Sequence, residues 1–114
     1  MAPDEERDAA LLLDIITAAR EIQEFLTGID FEAFQSNRLL RYAVERQLIV
    51  IGEASRHLSE SFRARTPNIP WRAIVGLRNI LAHEYSEILA EIWLVAIRDL
   101  KVLIEELEPH THEN

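Results

Sequence analysis

The sequence predicts an all-α protein: an up-down antiparallel four-helix bundle with one extra short helical turn. Three observations carry that prediction. Apolar residues recur at steps of three and four, as in Leu11, Ile15, Ala18, Ile22 and Phe25. No stretch alternates apolar and polar residues over the length of a strand. The breaks between stripes are short and carry helix punctuation, namely Gly28, the "PNIP" ending at Pro70, and Pro109.

The elements follow in order. Asp4 precedes "EERD", so acids crowd a helix start, where the macrodipole favours them; Gly28 ends that helix. "DFEAF" reads as one short helical turn capped by Asp30. Ser36 or Asn37 caps a second long helix, expected to run to about Thr66 with Leu40, Val44, Ile51, Ala54 and Leu58 as its stripe. Within it Leu48, Ile49, Val50 and Ile51 all need cover, more than one bundle face supplies. Gly52, Ala54 and Ser55 would admit a second helix closely, so a homodimer interface is expected there. The plainer alternative is a central helix covered on several sides within one chain. Asn68 and Pro70 open the third helix, "WRAIVGLRNILAH". The fourth begins near Ser86 or Glu87 and runs to Leu107. Its inner stripe is Ile92, Ala96, Leu103 and Leu107, flanked by Trp93, Ile97, Leu100 and Ile104. Trp71 and Trp93 read as core anchors rather than base-stacking platforms.

Residues 1–114 make one domain's worth of chain, with 48% hydrophobic residues to fill its core, and 109–114 are expected to fray. The acidic N-terminus does not resemble a secretory leader, and the aliphatic run Leu48–Ile51 is far too short to cross a bilayer. The absence of Cys fits a reducing compartment. A cytoplasmic protein with no membrane association is expected.

A net charge of −8 argues against a nucleic-acid partner until its distribution is considered. Residues 1–35 carry a net −7 and residues 84–114 a net −6. Residues 36–83 hold eight Arg against three Glu, a net +5. Guanidinium groups grip phosphate through a planar fork of donors. These arginines either pair with acidic neighbours in the bundle or form a basic surface on an acidic protein.

The residues that carry chemistry gather in "GLRNILAHEY", Gly76 to Tyr85. Asn79 and His83 are four apart and share a helix face, so the amide can orient the imidazole. Gly76, a turn earlier, leaves room for a ligand. Arg78 and His83 are five apart, about 140° around the axis, and are no simple same-face pair. The long Arg curls round, the helix ends at His83, or the groups meet across a two-fold axis. A neutral His can take the proton from a ribose 2′-hydroxyl while Arg holds the phosphate and stabilises its growing charge. The same pair near a helix C-terminus can also serve only to satisfy carbonyls and the dipole.

"RNILAHEY" resembles the R-x4-H-x-Y signature of HepT-type proteins of the HEPN superfamily. "RYAVERQLIVIGEASRHLSE" resembles that family's second helix and "NIPWRAIVGLRNILAHEY" its loop and third helix, so the likeness covers most of residues 38–85. The resemblance implies a dimeric four-helix bundle with two motifs facing one cleft. It implies a metal-independent endoribonuclease, without cofactor, that leaves cyclic phosphate ends and acts as the toxin of a type VII-like toxin–antitoxin pair. The antitoxin would be a small MntA-type nucleotidyltransferase that adds AMP to the motif tyrosine, with a higher assembly of the two conceivable. By the same resemblance Arg78 and His83 are catalytic, Asn79 their supporter and Tyr85 the AMP acceptor. Glu53 and Arg46 match positions near the cleft. Position 80 is Ile where relatives often carry a base.

Two rival readings stand beside this one. A non-catalytic helical dimer that serves as binding partner or AMPylation substrate of a nucleotidyltransferase would keep the same fold and arginines. A metal enzyme would need carboxylate–His pairs; Glu53 and His57 are one residue further apart than the common Glu-x-x-His, and no second pair joins them. His110 and His112 lie in the expected loose tail.

Overall fold

The computed structural model describes residues 3–82 and 86–112. Helix α1 spans Pro3–Phe25, α2 Phe31–Ser36, α3 Arg38–Arg56, α4 Glu60–Arg65, α5 Trp71–Val75 and α6 Leu77–Leu81. Helix α7, Ser86–Leu94, continues through a π-helical turn, Val95–Asp99, into α8, Leu100–Leu107, and a 3-10 turn follows at Glu108–His112. The described residues contain no strand. The long rods α1, α3 and α7–α8, with the shorter pair α5–α6, form the all-α antiparallel bundle.

Local chemistry sets the first junctions. Gly28 takes a positive φ of 73°, which ends α1 and which a β-carbon would disfavour. Asp30 Oδ1 accepts from Ala33 N–H at 2.8 Å to start α2. Asn37 Oδ1 accepts from Leu40 N–H at 3.0 Å to start α3, so Asn37 rather than Ser36 is that cap. Phe34, fully buried, pins α2 to α7 with its ring 5.3 Å from that of Trp93.

The core is a single cluster. Ile15, Ile22, Val44, Leu48, Ile51 and Leu107 are completely enclosed between α1, α3 and α8. Helix α1 buries Leu12, Ile16 and Ala19 as well as Ile15, Ala18 and Ile22 of the expected stripe, because it is covered from two sides; Leu11 and Phe25 of that stripe are half-buried.

Three departures from the sequence reading have physical causes. The second long helix stops at Arg56 instead of Thr66, because Ser59 caps a new helix, its Oγ accepting from Phe62 N–H at 3.2 Å. Asp8 of α1 holds that break, accepting from Ser59 N–H at 2.9 Å and Ser59 Oγ–H at 2.6 Å. These contacts also place the start of α1 beside the end of α3. The third helix is broken at Gly76, whose N–H donates to Arg72 O and whose carbonyl accepts from Asn79 N–H. A β-carbon at Gly76 would sit 3.3 Å from Arg72 O, one turn back on the chain. In the last helix the π-turn closes with Leu100 N–H donating to Val95 O. Its wider turn stacks Leu100 on Ala96 in the core and leaves Ile97 exposed, although both were expected to flank the stripe.

The small residues on α3 are used within one chain. Gly52 is buried, and a β-carbon there would lie 3.1 Å from Ile74 O of α5. Ala54 and Ser55 are buried too, and Ile49 and Val50 pack half-buried against the core. Trp71 anchors α5, buried, with its Nε1–H donating to Thr66 Oγ1 at 2.9 Å. His110 sets its ring edge-on to Phe62 at 5.1 Å, docking the 3-10 turn against α4.

Candidate active site around Arg78

The close packing of α5 on α3 brings α6 alongside Glu53. Arg78 of α6 donates through Nη1 to Glu53 Oε1 at 3.2 Å, and Arg56 donates through Nη2 to Glu53 Oε2 at 3.2 Å. One carboxylate therefore bridges two guanidiniums from different helices. Arg56 holds Glu53 below the usual glutamate range, with Arg78 adding to the effect and partial burial opposing it. The Arg78 side chain is 71% exposed, so most of its donors face solvent.

Glu53 and Arg78 are thus the two predicted residues that the structure brings into contact. Asn79 is exposed on α6 beside Arg78. Arg46 lies on the same side of α3 as Glu53, seven residues or two turns earlier, and is also exposed. The helix persists to its end, Ala82 N–H donating to Arg78 O at 3.1 Å. His83 and Tyr85, the predicted base and AMP acceptor, lie outside the described residues.

Arg56 was missed by the sequence reading. Its i,i+3 spacing from Glu53 on one helix was the available signal, since such pairs meet on a helix surface.

The arginine-rich segment is divided between both expected fates. Arg56 and Arg78 share Glu53, Arg41 donates to Gln35 O, and Arg65 lies over the Phe62 ring at 5.3 Å. Arg38, Arg46 and Arg72 are exposed and make no ion pair among the described residues. On α3, Leu39, Tyr42, Arg46 and Glu53 follow steps of three, four and seven and so line one side. Leu39 and Tyr42 are 82% and 51% exposed, an apolar patch leading towards Glu53. Ile80 on α6 is exposed as well.

Glu53 and His57 do not form a carboxylate–His pair. Glu53 faces the two guanidiniums, while His57 Nδ1 lies 3.5 Å from Arg7 Nη2. His57 borders a polar cleft of about 450 Å³ between α1 and the α3–α4 junction, with Asp4, Asp8 and Glu60 among its walls.

Exposed guanidinium groups, a polar amide and an acid that orients one of them form a surface able to hold and polarise a phosphodiester. Sequence comparison points to the same chemistry. A Methanocaldococcus jannaschii protein whose name provisionally reads RNase is 43% identical over 100 residues, covering 87% of this chain and 92% of that one. A Thermococcus cleftensis protein, provisionally named ribonuclease HepT, is 35% identical and covers 85% of this chain and 89% of its own. A Caldanaerobacter subterraneus protein, again provisionally named an RNase, is 34% identical over 75% of this chain and 77% of its own. No solved structure matches the chain significantly. The family model described as "Ribonuclease HepT-like" matches residues 15–109, from within α1 through the motif helix and past α8 into the 3-10 turn, and the chain belongs to that family.

Proposed function

We propose that the protein is a metal-independent endoribonuclease and the toxin of a toxin–antitoxin pair. The observation that carries this reading is the intact R-x4-H-x-Y series, Arg78, His83 and Tyr85, within the matched family region. In the proposed reaction His83 takes the proton from a ribose 2′-hydroxyl. The freed oxygen attacks the adjacent phosphorus and the 5′-oxygen departs, leaving a cyclic phosphate end. That leaving oxygen takes a proton from the second His83 of a dimer or from Tyr85. Arg78 holds the scissile phosphate and offsets the negative charge that builds on it. Asn79 orients His83, Glu53 sets the direction of Arg78, and Arg46 adds an exposed cation further along α3.

The reading includes a homodimer. Its support is the exposed stripe of Leu39 and Tyr42 on the Arg46–Glu53 side of α3, with Ile80 nearby on α6. A second copy covering that stripe would bring two motifs to one cleft and relieve the Arg78–His83 spacing, since each chain could supply one group. Control is assigned to a cognate MntA-type nucleotidyltransferase that adds AMP to Tyr85. The modification places bulk and negative charge where substrate phosphate should sit and so silences the site. The protein acts in the cytoplasm, and no helix among the described residues is long and apolar enough to cross a membrane.

The test is incubation of wild type and His83→Ala with total RNA in EDTA, followed by analysis of fragment ends. Cyclic phosphate ends from wild type alone are expected. Intact RNA with folded wild-type protein would overturn the enzyme reading and favour a non-catalytic partner of the nucleotidyltransferase.

A further inference from the structure

The bridging position of Glu53 suggests more than support for one arginine. Its two oxygens each accept from a different guanidinium at 3.2 Å, one on α3 and one on α6. Both arginine side chains are more than half exposed, 57% for Arg56 and 71% for Arg78, and so can be reached by a large ligand. A phosphodiester carries the same single charge as a carboxylate and likewise offers two oxygens to planar donor forks. The carboxylate thus occupies the kind of position that a backbone phosphate would take between the two arginines. Exposed ion pairs are weak enough to be exchanged for another anion. Beyond Arg56 the cleft wall near His57 is of mixed charge, with Asp4, Asp8 and Glu60 beside Arg7.

We propose that Arg56 is a second phosphate-binding residue of this site, and that Glu53 is an internal anion that holds Arg56 and Arg78 together until an RNA phosphodiester displaces it. The inference rests on the ribonuclease reading, and it adds a binding residue and a built-in competitor to it. The free protein carries two cations and one anion at the site, so its attraction for polyanions is reduced. Binding swaps the anion: Glu53 turns towards solvent and the phosphate accepts from both forks.

The sign of one substitution separates this from a structural role. If Glu53 only braces Arg78, Glu53→Gln weakens RNA binding. If Glu53 competes with phosphate, Glu53→Gln strengthens it. The experiment measures anisotropy of a labelled single-stranded RNA, 2′-O-methylated throughout so that it cannot be cut, with the full chain at about 50 to 200 mM salt. Expected results are roughly two- to tenfold tighter binding for Glu53→Gln at the lower salt, with an unchanged far-UV circular dichroism spectrum. Arg56→Ala should bind roughly three- to tenfold more weakly, with the salt slope shallower by about 0.7, the loss of one phosphate contact on a single strand. Arg56→Lys should recover the slope but only part of the affinity, because it restores charge without the fork.

Arg56→Ala binding like wild type, while Arg78→Ala binds weakly, would overturn the inference and leave the ribonuclease reading intact. Weaker binding by a normally folded Glu53→Gln would overturn the role as internal competitor. No binding of this RNA by wild type would overturn the inference together with the reading beneath it.

Discussion

Replacing Asp8 by Ala should destabilise the bundle measurably, because this carboxylate holds the α3–α4 break. Asp8 is 7% exposed and accepts two hydrogen bonds from Ser59, from N–H at 2.9 Å and from Oγ–H at 2.6 Å. Bonds to a charged group each contribute about 1.5–3 kcal/mol, and these two share both residues, so they are not fully additive. Removal also leaves the half-buried Ser59 N–H without its acceptor and loosens the Ser59 cap on Phe62. A loss of about 2–3 kcal/mol follows. For 114 residues the unfolding entropy is about 0.24 kcal/mol/K, so Tm should fall by about 10 °C. Thermal circular dichroism and urea titration measure it directly. Ser59→Ala keeps the backbone N–H bond to Asp8 but loses the Oγ–H bond and the cap on Phe62 N–H, so it should lose somewhat less. The double variant should lose less than the sum, because both changes remove the Oγ–Asp8 bond. Asp8→Asn keeps one acceptor oxygen and should retain about half of the stability, roughly 1–1.5 kcal/mol. A Tm for Asp8→Ala within about 2 °C of wild type would refute the assignment of the α3–α4 break to this contact.

Phe34→Ala should cost about 3–5 kcal/mol by urea titration and shift Trp fluorescence to the red, since it removes a fully buried ring packed on Trp93. Gly52→Ala sets about 1–3 kcal/mol of overpacking against about 1 kcal/mol of better helix propensity. Because the atom it meets is the Ile74 backbone carbonyl at 3.1 Å, a net loss of about 1 kcal/mol is expected, read by the urea midpoint. Arg56 first, then Arg78, hold Glu53 below the usual glutamate range, so its contribution to stability is present above the unfolded value and disappears as pH falls through the folded one. Melts of wild type and Glu53→Gln should therefore differ most near neutrality and converge in acid.

The features that the sequence revealed are those decided within a few residues. Asp30 and Asn37 cap helices through their own side chains three residues ahead, and Gly28 supplies the left-handed turn, so all three are legible from local chemistry. The stop at Arg56 was not legible, because the acceptor that stabilises it, Asp8, is fifty-one residues away from Ser59. "LSESF" carried a cap signal, but nothing in it ranked that signal above continuing the helix. The π-turn was hidden for a related reason: apolar residues at 92, 96 and 100 suit an ordinary helix with gentle drift as well as one wide turn. At the site, Arg78 and Glu53 were each singled out, yet twenty-five residues separate them and no spacing rule joins them. Their pairing is a product of how α5 lies on α3. The small residue at Gly52 was legible only in part on the same ground, since small residues admit close approach but do not say that it is Ile74 of α5 that approaches.

That close approach also explains why the Glu53–Arg78 contact has a defined geometry on an exposed surface. A single exposed ion pair between two long side chains is weak and does not fix its own distance. Here the backbone does it. Gly52, the residue before Glu53, admits Ile74 O where a β-carbon would lie 3.1 Å away, and Arg78 follows only four residues later, past the turn at Gly76. The spacing between the two charged residues is therefore set by this close approach of α5 to α3, with a buried Leu77 between it and Arg78. Any change that pushes α5 outward must move Arg78 away from Glu53 and Arg56 together. Gly52→Ala should thus weaken binding of the uncleavable RNA even where its stability loss is small, an effect that a purely side-chain site would not show.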